Sequence, residues 1–215
     1  MPYTLLRVAA GGVVLLDQHA QRLAGSDAGA LGAVREDLAR LARGSGAGVY
    51  AVWAGAGGLR VERRGETQLA DGMPARFIQS PFAHRAGTFP KPSPPCAYDE
   101  CRVPGVEALL TSADGAEILE SCRAAVLGWD GARLLCVPDD RPRVLSTAEA
   151  AVRENLPYRE SPLPVDDPMP LLLVNAVKGP CAVAVAGRRP FPAQAIREVE
   201  ALFGGLSSWG PAGAD

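Results

Sequence analysis

Four prolines crowd around one lysine in Pro90-Lys91-Pro92-Ser93-Pro94-Pro95, and this stretch restricts the fold more than any other. Proline fixes φ, donates no backbone hydrogen bond and biases the residue before it away from helix. Neither a helix nor a central strand continues through such a run. The chain therefore reads as two lobes and a connection: an N-terminal α/β lobe over residues 1–80, a proline-rich linker over 81–95, and a C-terminal lobe over 96–215. A length of 215 residues is enough for one or two domains with real cores.

Hydrophobic periodicity fills in each lobe. Residues 3–8 and 13–16 are β-type runs about a hairpin turn, Ala9-Ala10-Gly11-Gly12. Asp17 is placed as the cap of a short helix carrying Ala20, Leu23 and Ala24. Ser26 or Asp27 starts a longer helix to about Arg43, with Leu31, Val34, Leu38 and Leu41 on one face. Residues 49–54 and 59–64 form a second hairpin, and 73–79 a further strand. The C-terminal half is strand-rich, with runs at 108–111, 117–120, 124–129, 133–137, 171–174 and 182–186. Helices are expected at 147–155 and 193–203, before a tail of Gly, Pro and Ser.

Composition removes several classes of function. Lys and Arg total 22 against 24 Asp and Glu, and the basic groups at 60–64 and 141–143 are interrupted or flanked by acids, so no nucleic-acid partner is expected. No run of eighteen apolar residues is present, so no membrane span is expected. Arg7 and Asp17 interrupt the start of the chain, which argues against a signal peptide. Five cysteines, an odd number, then read as reduced thiols of a cytoplasmic protein. Cys96 and Cys101 have no histidine beside them, and no metal site is expected.

The segment Leu15-Leu16-Asp17-Gln18-His19-Ala20-Gln21-Arg22-Leu23, close behind Tyr3-Thr4-Leu5-Leu6-Arg7-Val8, resembles the N-terminal signature of the class IV aminotransferases. These fold-type IV pyridoxal-phosphate enzymes include branched-chain and D-amino-acid aminotransferases and aminodeoxychorismate lyase. Other segments follow in the family's order. Gly115-Ala116-Glu117-Ile118-Leu119-Glu120 is similar to its G-x-V-x-E strand, and Val144-Leu145-Ser146-Thr147 stands in the place of its phosphate loop. Val174-Asn175-Ala176-Val177-Lys178-Gly179 resembles a late strand of lyase-like members. The fold implied is α/β (α+β) and class IV aminotransferase-like: an N-terminal α/β lobe and a C-terminal strand-rich pseudo-barrel lobe.

The resemblance also implies roles. Pyridoxal 5'-phosphate needs an amine for its Schiff base, and Lys91 is the lysine between the lobes; Lys178, the other lysine, lies late in the chain. Glu120 would keep the ring nitrogen protonated. Arg22, together with Ser146 and Thr147 at a helix start, would hold the phosphate, and Asn175 would add a hydrogen bond. The activity implied is cleavage of 4-amino-4-deoxychorismate to p-aminobenzoate and pyruvate in folate biosynthesis, or a related transamination of a small molecule, in a homodimer.

The sequence also departs from the family pattern. Lys91 sits among prolines instead of in an H-K-T setting, no asparagine follows Glu120 at the family spacing, and Glu149 enters the phosphate loop. A carboxylate there would repel phosphate by on the order of 1 kcal/mol unless it points away. Read without the family, Arg22 is a solvated helix charge, Lys91 an exposed linker residue, Glu120 a strand end facing water, His19 a packing residue and Ser146–Glu149 a capping box. These departures define an alternative: a degenerate homologue without cofactor, serving as a binding or assembly protein. Convergence of Lys91, Glu120 and Arg22 on one cleft separates the two.

Overall fold

Strand β1 (Tyr3–Ala9) alternates its two faces, sending Leu6 and Val8 into a core with Tyr50 and Val52 of β3 (Gly48–Gly55). In the computed structural model, which describes residues 2–9, 12–25, 27–65, 69–91 and 96–204, that core is closed by two helices. Helix α1 (Leu16–Ala24) contributes Ala20 and Leu23, and α2 (Ala28–Gly44) contributes Leu38, with Leu31, Val34 and Leu41 packed against them. The sheet is antiparallel with order β2-β1-β3-β4, where β2 is Gly12–Val13 and β4 is Gly58–Arg64. Val8 pairs with Val13 and Ala9 with Gly12, as the first hairpin requires, and Gly55 pairs with Gly58 in the second. The middle of the first turn, Ser26, the prolines after Lys91 and the tail beyond 204 lie outside the described residues.

Two details of the first lobe differ from expectation. The second strand ends at Val13, because Leu15 adopts a left-handed conformation (φ 54°, ψ 46°) and turns the chain directly into α1. Such a conformation costs a non-glycine residue roughly 1–2 kcal/mol. It is offset by the landing of Leu15 on the core of the other lobe, with Val14 beside it. Asp17 is accordingly no cap: it lies in the first turn of α1 and pairs with Arg35 of α2 at 2.5 Å. Asp27 does cap α2, accepting from the N–H of Ala30.

The larger sheet is mixed and has nine strands, in the order β10-β9-β8-β12-β13-β5-β6-β7-β11. Its members are β5 (Met73–Gln79), β6 (Glu107–Thr111), β7 (Glu117–Ser121), β8 (Ala125–Trp129), β9 (Leu134–Cys136), β10 (Tyr158–Glu160), β11 (Leu163–Pro164), β12 (Leu171–Asn175) and β13 (Gly179–Ala184). Strand β5, assigned to the first lobe by the sequence reading, instead runs parallel to both β13 and β6 in this sheet. The chain thus crosses between sheets before the prolines.

The nine strands curl into a pseudo-barrel. Leu109, Ile118, Val126, Leu135, Leu163 and Leu173, from strands spread along the sheet, form one interior cluster. Gly128 of β8 lies so close to Leu163 of β11 that an added Cβ would stand 2.8 Å from it. The alternate residues Leu127, Leu134, Leu172 and Val174 face outward onto α4 (Thr147–Asn155) and α5 (Ala193–Leu202). Both faces of these strands are buried, so they read as continuous apolar runs. A short helix not expected from the sequence, α3 (Cys96–Cys101), begins just past the prolines.

Candidate active site

One short bridge of backbone brings the candidate residues together. Phe89 pairs in parallel with Val144: its N–H donates to Arg143 at 2.9 Å, and Leu145 donates back to its carbonyl at 3.0 Å. Buried Phe89 thereby pins the segment ending at Lys91 against the chain that leads into α4. On the other side, the N–H of Val144 donates to the Glu120 carboxylate at 3.2 Å. Lys91, Glu120 and the start of α4 are therefore indexed to one residue. Helix α1 packs on α4 and brings Arg22. Lys91, Arg22, Glu120, Ser146, Thr147 and Asn175 all line one cleft between the lobes.

Glu120 is buried, 5% exposed, and is no strand end facing water. Tyr98 of α3 donates its hydroxyl to the carboxylate at 2.7 Å. Burial pushes the Glu120 pKa up to about 7, opposed by the bonds from Tyr98 and Val144 and by Arg143 and Lys91. Lys91 is half-buried, with its ammonium 5.5 Å from the centre of the Tyr3 ring, a cation–π distance. Burial, then Arg22 and Arg102, push its pKa down to about 8 against the pull of Glu120 and Asp99.

Arg22 is half-buried, and one terminal guanidinium nitrogen is buried with no hydrogen-bond partner. Burial lowers its pKa to about 10, opposed by Glu120. One turn earlier, His19 is fully buried with Nδ1 2.7 Å from the Thr4 hydroxyl, which ties α1 to β1. Its pKa is driven down to about 3 by burial and by the two cations Arg22 and Lys91, so it stays neutral.

The α4 terminus opens on the same space. Ser146 is its cap and accepts from the N–H of Glu149 at 3.2 Å, while the first-turn N–H groups have no partner within the helix. Glu149 turns away from the cleft: it is buried between Arg143 at 2.5 Å and Arg153 at 2.9 Å. The anticipated repulsion is thus neutralised by two guanidiniums. Asn175 is largely committed to structure. Its carbonyl accepts from the N–H groups of Val177 and Lys178, and its amide donates to the Arg123 carbonyl, joining two loops of the cleft wall. Lys178 is not among the residues lining the cleft.

Sequence reasoning missed Arg102, Arg123 and the Ser121 turn. Ser121 accepts from the N–H groups of Arg123 and Ala124 in a tight loop, where the family pattern has an asparagine nearby. Arg102 follows directly on α3, the helix that carries Tyr98, a placement that the sequence pattern alone does not announce. Among the described residues no group of three or more His, Cys, Asp or Glu is arranged to hold a metal, and no helix is long and apolar enough to cross a membrane.

The donor set suits one kind of ligand. An unpartnered buried guanidinium nitrogen and the first turn of a helix fit a phosphate, a buried carboxylate fits a protonated ring nitrogen, and a lysine of lowered pKa fits a carbonyl. No protein-family model matches the sequence, and comparison with curated proteins finds no match. Solved structures do resemble it. A fold IV transaminase from Curtobacterium pusillum shares 18% identity over 94% of this chain and 82% of that one, with a TM-score of 0.65. An aminotransferase from Brucella abortus, bound to the cofactor PLP, shares 14% over 95% and 88%, with a TM-score of 0.68. A 4-amino-4-deoxychorismate lyase from Pseudomonas aeruginosa shares 16% over 93% and 88%, with a TM-score of 0.64. The chain has the class IV aminotransferase fold.

Proposed function

We propose that this chain is a pyridoxal-phosphate-dependent enzyme acting on a small amino compound, with a lyase reaction like that of aminodeoxychorismate lyase as the preferred chemistry and transamination as the related one. The observation that carries this is the meeting of Lys91, Glu120 and Arg22 with the start of α4 in one cleft. A cofactor-free binding protein has no use for a lysine, a carboxylate and an unpartnered arginine nitrogen held together at the cost of their desolvation.

When bound, pyridoxal phosphate supplies a ring that withdraws electrons from the carbon beside the substrate nitrogen. Arg22 and the first turn of α4 are the residues for its phosphate. Glu120 is the acid for its ring nitrogen, kept in place by Tyr98 and the Val144 N–H. Lys91, with a pKa near 8, offers a neutral amine for attachment and holds or releases a proton at Nζ near neutral pH. The same reading takes the protein as a cytoplasmic homodimer, and light scattering on the eluting protein measures its mass.

The test is titration of the purified protein with pyridoxal phosphate, followed by visible absorbance and by dialysis. Wild-type protein is expected to retain a yellow chromophore and Lys91→Ala to lose it. A wild-type protein that stays colourless sinks the proposal and leaves the degenerate binding or assembly homologue as the better account.

A further inference from the structure

Three arginines line the cleft, and the structure commits each differently. Arg22 is half-buried, and one of its terminal nitrogens is buried with no hydrogen-bond partner. Arg123 is locked to the buried Glu107 carboxylate, with side chains 10% and 0% exposed. Arg102 sits at the mouth just past α3, and its ion-pair partner is Asp99 at 2.6 Å, with side chains 41% and 50% exposed. A pair this exposed is screened by water and exchanges readily for another anion. Both of its charges are nonetheless felt by Lys91 in the cleft and by the buried Tyr3.

We propose that Arg102 is the specificity-determining residue that receives the substrate's carboxylate, with Asp99 as an internal stand-in that positions the guanidinium until substrate displaces it. A guanidinium matches a carboxylate through two parallel N–H···O bonds, which a lysine cannot reproduce. Tyr98, four residues earlier, fixes Glu120, so the same short segment indexes the carboxylate anchor to the acid of the site. The substrate class is thereby narrowed to primary amines that carry a carboxylate, as opposed to simple amines. This rests on the cofactor reading of the cleft.

The test compares phenylalanine, as both enantiomers, with phenethylamine, which differs only in lacking the carboxylate. Each is titrated into the cofactor-loaded protein while the cofactor absorbance is followed. Wild type is expected to favour at least one enantiomer over the amine by about tenfold or more, the worth of a charge-assisted pair. Arg102→Gln abolishes that preference, and Asp99→Asn increases it by removing the competing anion. Both variants should still take up the cofactor and show its absorbance, since Lys91, Glu120 and Arg22 are unchanged in them.

Calorimetry with glutarate, an inert dicarboxylate, gives a readout that needs neither turnover nor cofactor. Binding to wild type should weaken about tenfold in Arg102→Gln. A preference or glutarate affinity unchanged in Arg102→Gln overturns the proposal, as does a wild type that binds no glutarate. If wild type takes up no cofactor, the functional reading fails separately, and glutarate binding to the unloaded protein still decides the role of Arg102.

Discussion

Replacing Lys91 by methionine should make the cofactor-free protein more stable at neutral pH. Burial in the cleft, with Arg22 and Arg102 beside it, moves the Lys91 pKa from 10.5 to about 8. At 1.36 kcal/mol per pKa unit, that shift is a destabilisation of roughly 3 kcal/mol while the amine is protonated in both states. The unfolded chain keeps its proton up to about pH 10.5, whereas the folded protein releases it above about pH 8. The unfolded state therefore binds more protons in that window, and stability rises with pH across it. Methionine has a similar length and no charge, so it removes the cost.

Part of the gain is returned, because Glu120 loses a favourable neighbour. A net stabilisation of about 2 kcal/mol remains, or a rise in Tm of about 4–8 °C for a chain of this size. Thermal or urea unfolding of both proteins, stripped of cofactor, at pH 7 and pH 10.5 measures it. The gain should be present at the lower pH and absent at the higher. A gain of equal size at both values would be a packing effect and would refute the reasoning, as would a loss at pH 7.

Two further predictions concern the scaffold. Glu149→Ala leaves Arg143, which is 2% exposed, with Asp139 as its remaining acidic partner and removes a partner of Arg153, so urea unfolding should show a loss of about 2–3 kcal/mol; a loss under about 1 kcal/mol would mean that the pair is dispensable. Gly128→Ala drives a methyl to 2.8 Å from Leu163 Cδ2 and Met169 Sδ, where β8 approaches β11. It should cost about 1–3 kcal/mol in the same assay, and an unchanged midpoint would contradict the close approach that closes the pseudo-barrel.

Most elements were legible because their apolar periodicity matches their final faces. Helix α4 falls on the expected residues 147–155, and β5 on 73–79, since capping by Ser146 and alternation along the strand are local signals. What was not local was not legible. Strand β5 carries nothing in its own sequence to say which sheet takes it, and β10 and β11 are two or three residues long. Leu15 hid the start of α1 because its left-handed turn is supported by the core of the other lobe.

The site followed the same division. Lys91, Glu120 and Arg22 could be named from the family pattern, yet the pairing of Phe89 with Val144 that gathers them leaves no trace in spacing. Glu149 looked harmful to an anion until its two buried arginine partners were seen. Asn175 was read as a ligand donor, whereas its amide is spent mainly on the cleft wall.

The central claim is that Lys91 is the amine that holds a pyridoxal-phosphate cofactor. The chain has just two lysines, Lys91 and Lys178, which makes one measurement decisive: borohydride reduction of the cofactor-treated protein, followed by peptide mass mapping. The account predicts a stoichiometric mass increase on the peptide containing Lys91, none on the peptide containing Lys178, and none in Lys91→Ala. Labelling confined to Lys178 or the terminal amine, or no labelling at all, would contradict it.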